Sequence, residues 1–594
     1  MRIQAATLLL LLSTDALAVS YRYASSSNRI YVENGGTATL TSIRASTPSL
    51  PAGALQRSGN VWLLTAQLYV EDGSILVLHG SAVGGDVDEL RLKSDSGGFI
   101  HVSAEYGTLD IEATRIHSWN ASAGTVDTDY SDGRAYIRVR SFLDGDGVTA
   151  RESRMDLVNS ELSYLGYKAA EAYGLVWKVI GNPGTGFSLY DKVNVYGDIF
   201  GSRLHHNYFG MYTFGHHGGQ WVGNEVDHNV QYGFDPHDDS DHLLIEDNDV
   251  HDNGNHGIIA SKRCNNVVVR NNRSYANTGN GIMIHRSSDD AIVEGNESYL
   301  NSDSGVALFA SKRATVRNNT LLDNGNAGVR LSMGQADSVV EDNEIGHSGK
   351  YGLYFYRGSD TPEPGDDGRP KNNLFRRNTL HGSSSDPIKM TDGDANTFEK
   401  NTIDDDGTLR FTTSTGTRLV HNAIASGITV RVGGSSSVTS TLDIYQPTTK
   451  LVLTNDQATA KFRDNNNAIF DPDEALYTTS STTSSLLTLT RAATGGSTTV
   501  HRRRLNAVPA SGKIKVQPTL WNKSGDQAKA WNVRAPSATV SIAYTVGDLA
   551  PGAAYEVLRG STPVGTFTAS SGGVIGFASA PGTTSTVTYT VRPR

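Results

Sequence analysis

"GFDPHDDSDHLLIEDNDVHDNGNHGIIASKRCNNVVVRNN", residues Gly233–Asn272, contains one full period of a repeat and most of the next. Gly233 is answered by Gly257, Asn248 by Asn272, and "LLIEDN" by "VVVRNN", each 24 residues later. The phase continues outward. Gly210, Gly233, Gly257, Gly281, Gly305, Gly328 and Gly352 follow one another at steps of 23, 24, 24, 24, 23 and 24. Asn224, Asn248, Asn272, Asn296, Asn319 and Asn343 form a second ladder, and Asn229, Asn253, Asn277, Asn301 and Asn324 a third. Three ladders in one phase mark a repeat protein.

A unit of about 24 residues is too short for a propeller blade, which needs roughly 40, and lacks the Leu/Asn spacing of a leucine-rich repeat. Short apolar triplets separated by Gly/Asn turns are strands. The expectation is an all-β chain whose centre is a right-handed parallel β-helix, with coils stacked at roughly 4.8 Å. Asn at a fixed turn position then stacks its amide on the next, a structural role. Gly174 takes the coil-glycine position one longer coil earlier, which requires an insertion near 181–192, and Asn378, Asn401 and Asn422 extend the ladder beyond the looped-out "DTPEPGDDGRPK". The expected organisation is a signal peptide at 1–18, a β-rich N-terminal cap and entry to the helix at 19–95, the catalytic helix at 96–435 and a C-terminal β-sandwich-like accessory region at 436–594.

The ladder also sorts inside from outside. The residues one and three after each coil glycine are apolar or small: Phe234, Ile258, Ile282, Val306, Val329 and Leu353, then Pro236, Ala260, Ile284, Leu308, Leu331 and Phe355. Because side chains alternate along a strand, positions two and four face solvent. There Asp235 and His237 stand side by side, and the next position adds Asp238, Lys262 and Arg286 from successive coils. With Lys178, His216, Arg263 and His285 in phase, these residues read as a groove of imidazoles and cations, fitted to a polymer with one carboxylate per unit. No Ser nucleophile sits with a base, no His/Cys/Glu cluster has zinc-type spacing, and Asp235 and Asp238 share one strand instead of opposing each other across a sugar. A His beside a cation suits proton abstraction α to a carboxylate, the cation stabilising the enolate-like intermediate. Reprotonation on the other face gives epimerisation; loss of the C4 leaving group gives elimination.

"YGFDPHD" followed by "DNGNHGIIASKRC" resembles the mannuronan C5-epimerases, which convert β-D-mannuronate to α-L-guluronate residues within alginate. The resemblance covers roughly residues 100–430. It implies that His237 is the catalytic histidine, Asp235 its partner and Tyr232 a proton-transfer group. At the place of the family's carboxylate-neutralising arginine stands Lys262, with Arg263 as the neighbouring candidate. Asp238, Arg263, Arg286, His285, Lys178 and His216 are the expected substrate contacts. A polyuronate lyase and a non-catalytic glycan-binding β-helix are the alternatives.

The bulk properties agree with this reading. A net charge of −10 argues against nucleic acid or anionic membrane as partner. "MRIQAATLLLLLSTDALA" carries a basic start, an apolar run and a small-x-small cleavage site, so a secreted or periplasmic, monomeric protein is expected. The single cysteine, Cys264, allows no internal disulfide. No cofactor or metal is required by the motifs, and there are no Gly/Asp nonapeptide repeats from which a calcium requirement could be inherited.

Overall fold

The computed structural model describes Val19–Arg594 apart from 185–186, 361–363, 426, 446–449 and eight short segments between 454 and 524. The expected signal peptide lies outside the described residues. The chain divides into two compact units, Met1–Val268 and Val269–Arg594.

In the first unit one parallel ladder runs through Arg29–Glu33, Gln67–Glu71, His101–Glu105, Tyr136–Leu143, Leu175–Val179, Met211–Phe214, Phe234–His237 and Ile258–Ser261. Two further parallel ladders complete each coil, for example Ile199–Phe200, Gln220–Val222 and Leu244–Glu246, then Arg203–His205, Glu225–Asp227 and Asp249–His251. This is a parallel β-helix. Its coils already begin at Arg29, so residue 95 marks no break between a cap and the helix. The early coils were illegible because they lack the Gly and Asn ladders. One short α-helix, Leu40–Ser46, sits among them, started by a capping box at Thr39 and anchored by buried Leu40 and Ile43.

The second unit repeats the plan. Ile282–His285, Val306–Phe309, Ala327–Ser332, Tyr351–Tyr356, Asp386–Met390, Thr408–Thr412, Thr429–Gly433 and Lys450–Leu453 pair in parallel. Coil pairing therefore passes the expected boundary at 435. The Asn ladder does not stop at Asn422 either: its backbone and side-chain amides donate to Asp443 Oδ1 at 2.7 and 2.8 Å. Beyond the coils, Leu505–Pro509, Ile542–Val546 and Ile575–Ser579 form one antiparallel group, and Lys515–Leu520, Lys529–Arg534, Val587–Pro593, Ala554–Arg559 and Thr562–Thr568 another. A single core shared by both, with Trp531 stacked on Tyr589, makes this region a β-sandwich.

The inward columns are as the ladder requires: Phe234, Ile258, Ile282, Val306, Val329 and Leu353 are all fully buried. The ladder asparagines are buried too, and each is satisfied by its neighbours. Asn319, for instance, accepts from the Asn296 backbone and side-chain amides at 2.9 Å and donates to Val293 O and Asn343 Oδ1, both at 2.9 Å. A buried carboxamide so fully paired is stabilising, whereas an unpaired one costs the desolvation of each group.

Candidate active site

The site is assembled on the first ladder. Phe234–His237 pairs with Met211–Phe214 so that Tyr212 faces Asp235 and Phe214 faces His237. On the other side His237 lies in register with Ser261. Pro236 is the odd residue. Phe234 N donates to Gly257 O and Asp238 N to Ser261 O, both at 2.9 Å, and the bond between them, from position 236 to the Ile259 carbonyl, cannot form without an N–H. Beyond the strand the chain turns through two left-handed residues in each coil, Asp238 and Asp239, then Lys262 and Arg263. Asp239 N donates to Lys262 O at 3.0 Å, so the ladder continues through the turn and sets the polar side chains in register.

The His237 ring packs against Tyr212, with centroids 5.6 Å apart, and stacks on Phe214 at 6.4 Å. Its Nδ1 lies 2.5 Å from Asp238 Oδ2. Lys262 Nζ is 3.7 Å from that same oxygen, and Arg263 Nη2 is 2.7 Å from Asp238 Oδ1. Burial alone would raise the Asp238 carboxyl, but the His237 contact and the charges of Lys262 and Arg263 outweigh it and hold it below its ordinary value.

Asp235 departs from expectation. It occupies an outward position yet is only 2% exposed, and no hydrogen bond joins it to His237. Its Oδ1 has no hydrogen-bond partner in the protein. Burial, reinforced by Asp238 and opposed by His237 and Lys262, pushes its carboxyl up to about 7. The carboxylate that contacts the imidazole is Asp238, not Asp235. Outward positions are covered in neighbouring coils as well: Ile259 and Met283 are buried. The alternation rule assigns the face correctly but not its exposure, because aromatic side chains roof it. Tyr173, Phe209, Tyr232 and His256, each just before its coil glycine, form a row of rings with centroids 4.6, 5.1 and 5.5 Å apart. Burial raises the phenols of Tyr173, Tyr212 and Tyr232, and the Asp235 charge adds to it in all three.

The insertion expected near 181–192 folds over the site. Phe187 lies under the Arg263 guanidinium at 3.7 Å, and the Tyr190 ring meets Phe214 at 5.7 Å. Arg263 is thus gripped by Phe187, Asp238 and Asp239, the last through three contacts of 2.8–3.1 Å. Lys262 keeps 37% of its side chain exposed, which distinguishes the two cations expected to share one task. Phe187, Tyr190 and Tyr173 were not identified from sequence. Tyr173 was recoverable from the ladder, standing one residue before Gly174; the insertion carries no periodic signal.

Lys178 falls in the His237 column, in register with Phe214, and its Nζ lies over the Phe214 ring at 4.9 Å and 3.1 Å from Glu171. Arg138 and Arg140 converge on the same Glu171. His216 is not a substrate contact. It is fully buried between Trp177 and Trp221, with its ring pushed down to about 3 by burial first and by Arg154 second. The chain turns just before it at Gly215, with φ of 76°, so the in-phase count no longer applies. His285 and Arg286 belong to the second unit, where His285 packs on Phe309 at 4.7 Å and Arg286 pairs with Asp360 of the second insertion.

The comparisons with known proteins bear on the coils. The family described as a right handed beta helix region matches residues 130–298 and 259–364. The chain is 29% identical over 239 residues to the mannuronan C5-epimerase of Pseudomonas aeruginosa, covering 40% of each chain. It is 29% identical over 217 residues to the mannuronan C5-epimerase of Azotobacter vinelandii, covering 34% of this chain and 37% of that one. The matches thus span about two fifths of these relatives. The crystal structure of the periplasmic alginate epimerase AlgG superposes with a TM-score of 0.54 at 19% identity, over 67% of this chain and 85% of that one. The shared fold is the right-handed parallel β-helix, and over part of its coils the sequence is similar to that of mannuronan C5-epimerases.

Proposed function

We propose that the chain is a secreted or periplasmic polysaccharide C5-epimerase that converts β-D-mannuronate to α-L-guluronate residues in an alginate-type polyuronate. One observation carries the reading: an Asp238 carboxylate oxygen lies 2.5 Å from His237 Nδ1 and 3.7 Å from Nζ of the partly exposed Lys262. The similarity to mannuronan C5-epimerases supports it.

In this mechanism Nε2 of His237 takes the C5 proton, and Asp238 stabilises the imidazolium that forms. The electron pair left on C5 delocalises into the C6 carboxylate, whose charge Lys262 neutralises. Lysine does this as a point charge, without the bidentate geometry of arginine. A phenol, Tyr232 or its neighbour Tyr212, returns a proton to the opposite face. One proton leaves and one arrives, the C4–O4 bond is untouched, and polymer length is unchanged. Asp235, its carboxyl pushed up to about 7, carries only part of a negative charge beside the developing enolate at neutral pH. Lys178 holds a carboxylate of a neighbouring sugar.

The test is proton NMR of poly-mannuronate incubated with the enzyme in deuterated water. Guluronate signals with deuterium at C5 are expected. Unlabelled, unchanged polymer would sink the proposal, and ultraviolet-absorbing unsaturated ends would replace it with the lyase reading.

A further inference from the structure

A cluster of titratable side chains lies in the first unit on a different ladder from His237. Arg203–His205, Glu225–Asp227 and Asp249–His251 stack so that His205, Asp227 and His251 share one outward column. The left-handed residue after each strand, His206, His228 and Asp252, forms the next. The His206 and His228 rings stack at 5.1 Å and 3°, and the His251 ring meets His228 at 6.1 Å. His228 Nδ1 lies 2.7 Å from Asp227 Oδ2, and the buried Asp227 is itself held by two bonds of 2.9 Å from Arg203. A carboxylate so anchored fixes the imidazole and leaves Nε2 as the ligating atom, the usual support of a metal-bound histidine. His251 Nδ1 and Asp252 Oδ2 are 2.8 Å apart. This is a hydrogen-bond distance; a bound ion would take the place of the shared proton, and tetrahedral bonds of about 2.0–2.1 Å would set the two atoms about 3.3 Å apart. Among the described residues, the ligating atoms of His228, His251 and Asp252 all lie within 4.8 Å of one another.

We propose that His228, His251 and Asp252 form a site for a divalent transition-metal ion, with Asp227 as outer support. Two imidazoles and one carboxylate suit Zn2+, Ni2+ or Cu2+ and disfavour Ca2+ and Mg2+, which take oxygen ligands. The sequence showed no such spacing because the two histidines are 23 residues apart, and only coil stacking makes them neighbours. The ligands come from two successive coils, so the ion acts as a clamp between them. It is independent of the proposed chemistry at His237.

Calorimetric titration of the full chain with Zn2+, alongside thermal melts with and without the ion, tests this. One ion per chain and a zinc-dependent rise in Tm are expected, with Ca2+ unable to compete. His251→Gln should weaken binding by about tenfold or more and abolish the Tm rise while C5-epimerase turnover stays within about twofold. His228→Gln should repeat the result, which guards against misfolding of one variant. His237→Gln should bind zinc as the parent does. Absence of zinc binding by the parent, undiminished binding by both cluster variants, or loss of binding in His237→Gln would each overturn the site.

Discussion

Two stretches of coil on the same ladder type, one from each unit, differ mainly on one face. Met211–Phe214 and Phe234–His237 in the first unit carry Tyr212, Phe214, Asp235 and His237 outward. Val306–Phe309 and Tyr351–Tyr356 in the second carry Ala307, Phe309, Tyr354 and Tyr356, and Tyr354 stacks on Tyr356 at 4.7 Å. The inward residues of both are buried and mostly apolar, Thr213, bonded to Ser240, being the polar exception, and both continue into bonded asparagine ladders. Backbone pairing and inward packing are therefore one system, and outward chemistry another.

If that division holds, substitutions should fall into two classes. The largest effect on activity is expected for His237→Ala, which should lower kcat by about 10³-fold with the denaturant midpoint unchanged. Tyr356→Ala, at the equivalent strand position of the second unit, should stay within about threefold. Lys262→Ala is expected to lower kcat/KM by about 10²-fold, and Lys262→Arg to recover part of it. Arg263→Ala should instead reduce stability, because it removes the three Asp239 contacts and one of the Asp238 contacts; equal catalytic loss in both alanine variants would erase the distinction between the two cations. Asn319→Ala should cost about 3 kcal/mol by urea unfolding, since it removes four buried hydrogen bonds, with turnover per folded molecule unchanged.

The smallest effect sits where the two classes meet, at Asp235. The native state keeps its proton up to about pH 7, whereas an unfolded aspartate releases it near 3.9. Native proton binding thus stabilises the fold at low pH, and that contribution is lost as pH rises through about 7. Asp235→Asn lacks the titration. It should match the parent near pH 4 and become the more stable of the two by pH 8, measured by urea unfolding across that range. A constant difference between the two proteins at all pH values would show that Asp235 is charged throughout.

How much was legible follows from what repeats. The coil phase, the inward columns and the shared face of Asp235 and His237 could be read because periodicity writes them into the sequence. Lys178 fell into register despite the insertion beside it. The coils before residue 96 and after 435 were missed because they keep the pairing without Gly and Asn. The Asp238 contact with His237 was not foreseen because a left-handed turn, not strand alternation, aims it there. His216 was misplaced for a related reason: phase counting assumes that each residue advances the chain equally, and a glycine turn does not. The Phe187 and Tyr190 cover and the His228/His251 cluster depend on contacts between coils or across an insertion, which no local pattern encodes.

The junction at Asn422 and Asp443 gives the second unit an electrical direction. Each ladder carboxamide points its oxygen toward the earlier coil and its N–H toward the later one, from Asn296 through Asn319, Asn343, Asn378 and Asn401 to Asn422. Aligned amide dipoles add, so the row carries partial positive charge at its later end. There Asp443 receives both amide bonds of Asn422 and, when ionised, can only accept. A carboxylate at that end is electrostatically matched to the row and closes it, because it has no N–H to hand on. To lengthen this stack by one coil, Asp443→Asn would have to come first.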